Sequence, residues 1–337
     1  MTNRSVLVFP DDTSKPILDA ISNAKKSIRI KMFVFSDPDL IQAVIAAKKK
    51  ELDVRVMLNP ARRNGEEENG ETRKLLEEAG IEVKDSNPDF GLTHEKSMTV
   101  DDEVTFVKSL NWETKNLTIT RDYAVVTSIP DEVTEAIEGF EADWNRQKFE
   151  PGEKALLIWC RGNGRERIAR FIDNARHSLF LQNERYQDPV IIERLVRAAA
   201  RGVKIHLMAK PPHSLKKEKI IEGVGGLRIL DDVGIKIRKL KHLKLHGKIL
   251  VADGARAIVG SINLAPGSFD DRRELAIEVN DEEIIDRLHE ILKFDWENGH
   301  PMDLSDEGLF ADLKSHGESD DVLVLNVDKK KEKDEDD

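Results

Sequence analysis

Apolar positions along this chain switch between two periods. Short runs at 28–35, 54–58, 179–181 and 203–207 are apolar at most or alternate positions and predict strands, while 40–50 and 190–201 between them read as helices. Each leading strand runs into an Asp-Pro pair, Asp37-Pro38 and Asp188-Pro189. There the acid can cap a helix and the proline suits the first helical position. A hairpin is expected next; in the second copy it comprises a strand over 246–252, a turn at Asp253-Gly254 and a strand over 257–263. Helices and strands alternating in this way predict mixed α/β layers.

The pattern occurs twice. Asn23-Ala24, Ser27 and Asp37-Pro38 recur as Asn174-Ala175, Ser178 and Asp188-Pro189, an offset of 151, and Asp143-Trp144 recurs as Asp295-Trp296, an offset of 152. A constant offset over so long a stretch indicates a duplicated domain, not a solenoid, whose period is roughly 20–50 residues. In a chain of 337 residues the halves are expected at 1–150 and 151–316. The segment 317–337 mixes acids with one apolar run at 322–327 and ends in charged residues, which reads as an acidic, disordered tail.

Composition narrows the class. The formal charge of −11 disfavours broad binding to nucleic acid, although a local basic groove is compatible with it. Cys160 is the only cysteine, so no intramolecular disulfide can form and a reducing, cytoplasmic location is expected. The sequence has no signal-peptide core and no apolar stretch of membrane-spanning length, so any bilayer contact is expected to be peripheral.

The chemistry lies in a five-residue constellation. His94, Lys96, Asp101, Ser109 and Asn111 recur as His246, Lys248, Asp253, Ser261 and Asn263, each 152 positions later. Residues two apart on an extended segment share a face, so each copy presents an imidazole with an ammonium and a hydroxyl with an amide. That set suits a phosphodiester, which needs positive charge beside its oxygens, a nucleophile for phosphorus and an acid for the departing alkoxide. Lys96 and Lys248 supply charge, while Ser109, Asn111, Ser261 and Asn263 can donate to phosphate oxygens. One histidine can attack as neutral imidazole, giving a phosphohistidine, while the other serves as acid. Asp122 and Glu274 each lie 28 residues after a histidine and directly follow an arginine, and they are candidates to hold a ring nitrogen. No His-x-His pair, cysteine cluster or calcium-loop pattern is present, and lysines beside the histidines would repel a cation, so neither metal nor cofactor is expected.

His94-Glu95-Lys96 with Asp101, and His246-Gly247-Lys248 with Asp253 and Gly260-Ser261-Ile262-Asn263, resemble the paired HxK(x)4D and GSxN motifs of the phospholipase D superfamily. The resemblance covers both halves. It implies an α/β fold of two pseudo-symmetric halves, each a mixed sheet flanked by helices, sharing one active site that a monomer can complete. It further implies that Asp122 and Glu274 orient histidines, that Asp101 and Asp253 are structural, and that His94 attacks while His246 is the acid. The expected substrate is a phospholipid whose head-group ester is hydrolysed or transferred, because the second motif and Arg273-Glu274-Leu275 look like bacterial cardiolipin synthase relatives. The N-terminal membrane helices common there are not expected of this chain. The alternatives are a metal-independent nuclease on DNA or RNA and a non-catalytic phosphate-binding protein.

Several features are open to two readings. Lys108 stands where the second copy has Gly260, so glycine's backbone freedom is lost; this is either a tolerated substitution, the reading favoured because the other motif residues are retained, or a partial loss of the first half-site. The basic stretch Lys236, Arg238, Lys239, Lys241, His242 and Lys244 is either a solvated strand edge or a funnel for an anionic substrate. Trp112 and Phe269 are either pocket mouth or core. His177, His206, His213, His242 and His289 have no repeat partner and read as surface or packing residues.

Overall fold

The structure, a computed structural model, describes residues 3–61, 67–152, 154–214 and 220–316. The tail assigned to 317–337 lies outside the described residues. Two mixed sheets are built from matching parts. The first runs Arg4–Phe9, Thr120–Thr127, Val104–Lys108, Ser97–Val100, Ser27–Met32, Asp53–Leu58 and Glu82–Asp85. The second runs His300–Pro301, Lys236–Lys239, Lys204–Met208, Ser178–Gln182, Ile249–Ala252, Arg256–Gly260 and Arg272–Val279, with Leu157–Cys160 antiparallel to the last of these. Within each, the leading strand pairs in parallel with the strand beyond the next helix and antiparallel with the motif hairpin.

The helices start where the sequence places them. Asp37 Oδ1 accepts the N–H of Leu40 at 3.1 Å above Pro38–Lys48, and Asp188 Oδ1 accepts that of Ile191 at 3.1 Å above Pro189–Ala200. Each such cap contributes about 1 kcal/mol. The inner faces of the two sheets form one apolar layer, with Val6, Val8, Val107 and Val125 joining Val251, Val259, Leu275 and Ile277. Helices bury the outer faces, in one cluster around Ile30, Val44 and Val56 and another around Leu181, Leu195 and Leu207. Covering both faces explains why the strands are apolar on consecutive positions.

The motif hairpin departs from expectation. Of the segment 246–252 only Ile249–Ala252 is strand, paired with Arg256–Gly260, and His246-Gly247-Lys248 links it to Lys244–Leu245, which pairs with the other half. Trp112 and Phe269 are core, Trp112 packing edge-on against Phe35 at 4.8 Å, so neither lines a pocket mouth. In the basic stretch, Arg238 donates to the carbonyl of Trp296 and Lys239 pairs with Asp312 at 3.0 Å, so these two serve the fold; Lys236, Lys241, His242 and Lys244 stay exposed. Among the described residues no helix is long and apolar enough to cross a membrane.

Candidate active site

The segment that enters each motif leaves its own half. Leu92–Thr93 runs parallel to Arg272 and Arg273, and Lys244–Leu245 runs parallel to Thr120 and Arg121. The N–H groups of His94 and Glu95 donate to Arg273 O at 2.8 and 3.0 Å; those of His246 and Gly247 donate to Arg121 O at 3.3 and 2.7 Å. The backbone of the opposite half therefore holds each histidine beside that half's acid. His94 Nδ1 lies 2.9 Å from Glu274 Oε2 and 3.2 Å from Ser261 O, and His246 Nδ1 lies 2.8 and 3.1 Å from the oxygens of Asp122. Spacing associates each acid with the histidine 28 residues before it, and the fold exchanges them. Because a carbonyl only accepts, Nδ1 of His94 carries a proton and Nε2 keeps the lone pair.

Burial sets the electrostatics. It brings His94 down to about 3, with Lys96 and Lys248 acting in the same sense and Glu274 opposing. Burial also lowers His246, against Asp122 and Glu184. Lys96 falls to about 7, through burial and then the nearby ammonium of Lys248. For Asp122 and Glu274 burial acts upward, but the histidines and lysines around them hold both below the ordinary carboxylate range. Lys96 and Lys248 each donate to the carbonyl of the histidine two residues before, which fixes their ammonium groups beside the rings.

The serines are placed differently from their expected role. Ser109 Oγ donates to Asp122 Oδ1 at 2.6 Å, and Ser261 Oγ donates to Leu275 O at 3.3 Å. A hydroxyl has one proton, so neither is a free donor to phosphate; they brace the strand and acid behind the histidines. The amides are nearer to expectation. Asn111 donates to Glu113 at 3.0 Å, Asn263 has no hydrogen-bond partner for its side chain among the described residues, and the buried Oδ1 of each is unmatched. Asp101 and Asp253 lie away from the histidines, where each accepts a run of backbone N–H groups, from residues 25–27 and 176–178.

Lys108 and Gly260 differ for a reason of space. Gly260 has no positive φ, but a Cβ there would sit 2.3 Å from Leu275 O, so the glycine permits close approach. Lys108 is fully buried, with Nζ 4.5 Å over the Trp112 ring and no hydrogen-bond acceptor among the described residues. Burial pushes its pKa well down. A lysine lowered in the fold costs stability once the unfolded chain protonates, so the cost is absent above about pH 10.4 and grows as pH falls. Lys108→Met is expected to stabilise the protein by about 2 kcal/mol near neutrality, with the gain vanishing at high pH. Urea unfolding at several pH values measures this, and a destabilised variant at neutral pH would refute it.

Spacing missed a residue at the second half-site. Glu184 lies beyond the strand Ser178–Gln182, pairs with Lys210, and places Oε2 2.7 Å from Lys248 Nζ and 3.9 Å from His246 Nε2. Its counterpart at offset 151 is Phe33, so aligning the two copies flags the place. Away from these groups, His213, Asp312 and His316 are the one metal-like cluster among the described residues. There Asp312 already pairs with His213 Nδ1 at 2.8 Å and with Lys239, so its oxygens are engaged.

Comparison with known proteins places both halves in one family. The family described as "Cardiolipin synthase, PLD-like domain" matches residues 17–144 and 168–296, one copy in each half. Cardiolipin synthase B of Escherichia coli K12 is 24% identical over 311 residues, covering 79% of this chain and 73% of that protein. Mitochondrial cardiolipin hydrolase of Mus musculus is 31% identical over 135 residues, 40% of this chain and 58% of that protein. The crystal structure of phosphatidylserine synthase from Haemophilus influenzae superposes with a TM-score of 0.71 at 11% identity, over 89% of this chain and 87% of that one, a likeness of fold.

Proposed function

Since the chain belongs to the cardiolipin synthase, phospholipase D-like family, matched over both halves, we propose that it is a phospholipid phosphodiesterase or phosphatidyltransferase working through a phosphohistidine. The observation that carries this reading is the exchange of acids, which leaves Nε2 of both His94 and His246 available beside Lys96 and Lys248. In this reading 1–150 and 151–316 are two half-sites of one active site.

Nε2 of His94 forms a bond to phosphorus as the bond to the head-group oxygen breaks, and that oxygen leaves with the electron pair and takes the proton of His246 Nε2. Water or an alcohol then attacks phosphorus and returns a proton to His246. The phosphorus–nitrogen bond breaks and its electrons return to His94. Lys96 and Lys248 stabilise the oxygens as charge builds. An arriving phosphate anion also relieves the repulsion between the two ammonium groups.

The test is turnover of phosphatidylcholine, phosphatidylglycerol and cardiolipin in mixed micelles, beside single-stranded and duplex DNA, with chelator present and a His94→Ala control. Release or exchange of a head group by the wild type alone is expected. Turnover of nucleic acid only would replace the lipid reading with a nuclease, and loss of activity on chelation that a divalent ion restores would remove the metal-free mechanism.

The pH dependence follows from the directions above. Acid is expected to stop His94 as it protonates near 3, while rising pH removes first the proton of His246 and then, near 7, the charge of Lys96. The profile of kcat/KM is therefore expected to be a bell with its maximum below neutrality. A rate still climbing through alkaline pH would contradict an acid role for His246.

A further inference from the structure

Glu184 and Phe33 occupy equivalent places and meet equivalent groups. The Glu184 carboxylate faces Nε2 of His246 at 3.9 Å and Lys248 at 2.7 Å, with Lys210 paired to its other oxygen. Phe33 sets its ring edge-on to His94, 5.0 Å between centroids, and Lys96 Nζ lies 5.1 Å over that ring. The acids at Nδ1 are matched, while His94 also meets the Ser261 carbonyl at 3.2 Å and a second lysine. His94 has Glu274 at Nδ1, with Lys96 and Lys248 nearby; His246 has Asp122 at Nδ1, with Lys248 nearby. One acid at each Nδ1 cannot make the rings unequal. A carboxylate at one Nε2 and a hydrocarbon ring beside the other can, because a carboxylate favours imidazolium and an apolar neighbour disfavours it.

We propose that Glu184, braced by Lys210, is a positioning residue that divides the work between the histidines, holding His246 in its proton-bearing form while Phe33 leaves His94 neutral. This rests on the phosphodiester reading above. It makes the assignment of nucleophile and acid a property of residues outside both motifs. Glu184 acts through His246 and Lys248 and takes no part in bond making. Its lysine contacts also satisfy the pocket's charge before substrate arrives, and burial notwithstanding, Lys210, Lys248 and His246 keep it ionised.

The experiment is titration of the histidine ring nitrogens by nuclear magnetic resonance on the full chain without substrate. In Glu184→Gln the midpoint of His246 is expected to fall by about one unit with His94 unmoved, and in Glu184→Asp to lie between wild type and Gln. The alkaline limb of kcat/KM should move inward by the same shift, and Glu184→Asp should restore part of it, which a merely structural role would not do. A His246 midpoint that stays put or rises, or a His94 midpoint that moves equally, overturns the proposal. If Glu184→Gln does not fold, the Asp variant carries the test, because it keeps the charge and only retracts it. A chain that turns over no phosphodiester would refute the proposed function while leaving the ring titrations to judge Glu184.

Discussion

His94→Ala is expected to lower turnover by roughly four orders of magnitude or more, because it removes the atom that would bond to phosphorus and leaves only charge and placement. His246→Ala should behave differently. Loss of a general acid costs about 10²–10⁴-fold on an alkoxide leaving group. A p-nitrophenyl phosphodiester, whose leaving group needs no proton, should recover most of that loss in His246→Ala and none in His94→Ala. Rapid quenching with a radiolabelled phosphodiester should trap label on His94. Label mapped to His246, or a p-nitrophenyl ester that rescues the His94 variant, would reverse the roles. The acid exchange adds a second signature. Glu274→Gln should mimic a weakened His94 and Asp122→Asn a weakened His246, although each acid lies in the other half of the sequence.

Much of this is legible in the sequence. The Asp-Pro caps, the order of strands and helices and the paired histidines, lysines and acids follow from local patterns that repeat at one offset. Three things are not, and they share a cause. The crossing of the segment before each motif hairpin to the other half, the exchange of Asp122 and Glu274, and the place of Glu184 are all long-range contacts, which periodicity does not encode. The surroundings of the serines were hidden for a different reason. Residue type reports that Ser109 can donate, but not that Asp122 stands 2.6 Å away to take its only proton. Gly260 likewise suggested backbone freedom when the constraint was a crowded neighbouring strand.

The repeated Asp-Trp pair near the end of each half gains its meaning from the same exchange. Asp143 Oδ2 accepts from Lys31 Nζ at 2.6 Å and from Arg273 Nε at 2.8 Å, and Oδ1 accepts from Arg273 Nη2 at 3.2 Å, all of it buried. Phe90, Phe149 and Trp159 surround the Arg273 guanidinium. Removing that carboxylate strands the Arg273 guanidinium in a dry interface, while Lys31 keeps Glu95 at 2.9 Å. Asp143→Asn is therefore expected to cost about 3–5 kcal/mol in urea unfolding, since breaking a buried pair from one side leaves a charge uncompensated. The mirror site is buffered. Asp295 pairs with Arg121 at 2.9 Å but otherwise meets neutral Gln182, and Arg121 keeps Asp11 at 2.5 Å. Asp295→Asn should cost clearly less, and equal losses at the two sites would show that the Arg273 charge is not what is being compensated. The Asp143 variant should also lose activity while still folded. Arg273 O holds the backbone of His94 and the next residue, Glu274, holds its ring, so an arginine released from Asp143 shifts both. Adding Arg273→Met to Asp143→Asn should recover part of the stability and none of the activity, which separates the ion pair's part in joining the halves from its part in aiming His94.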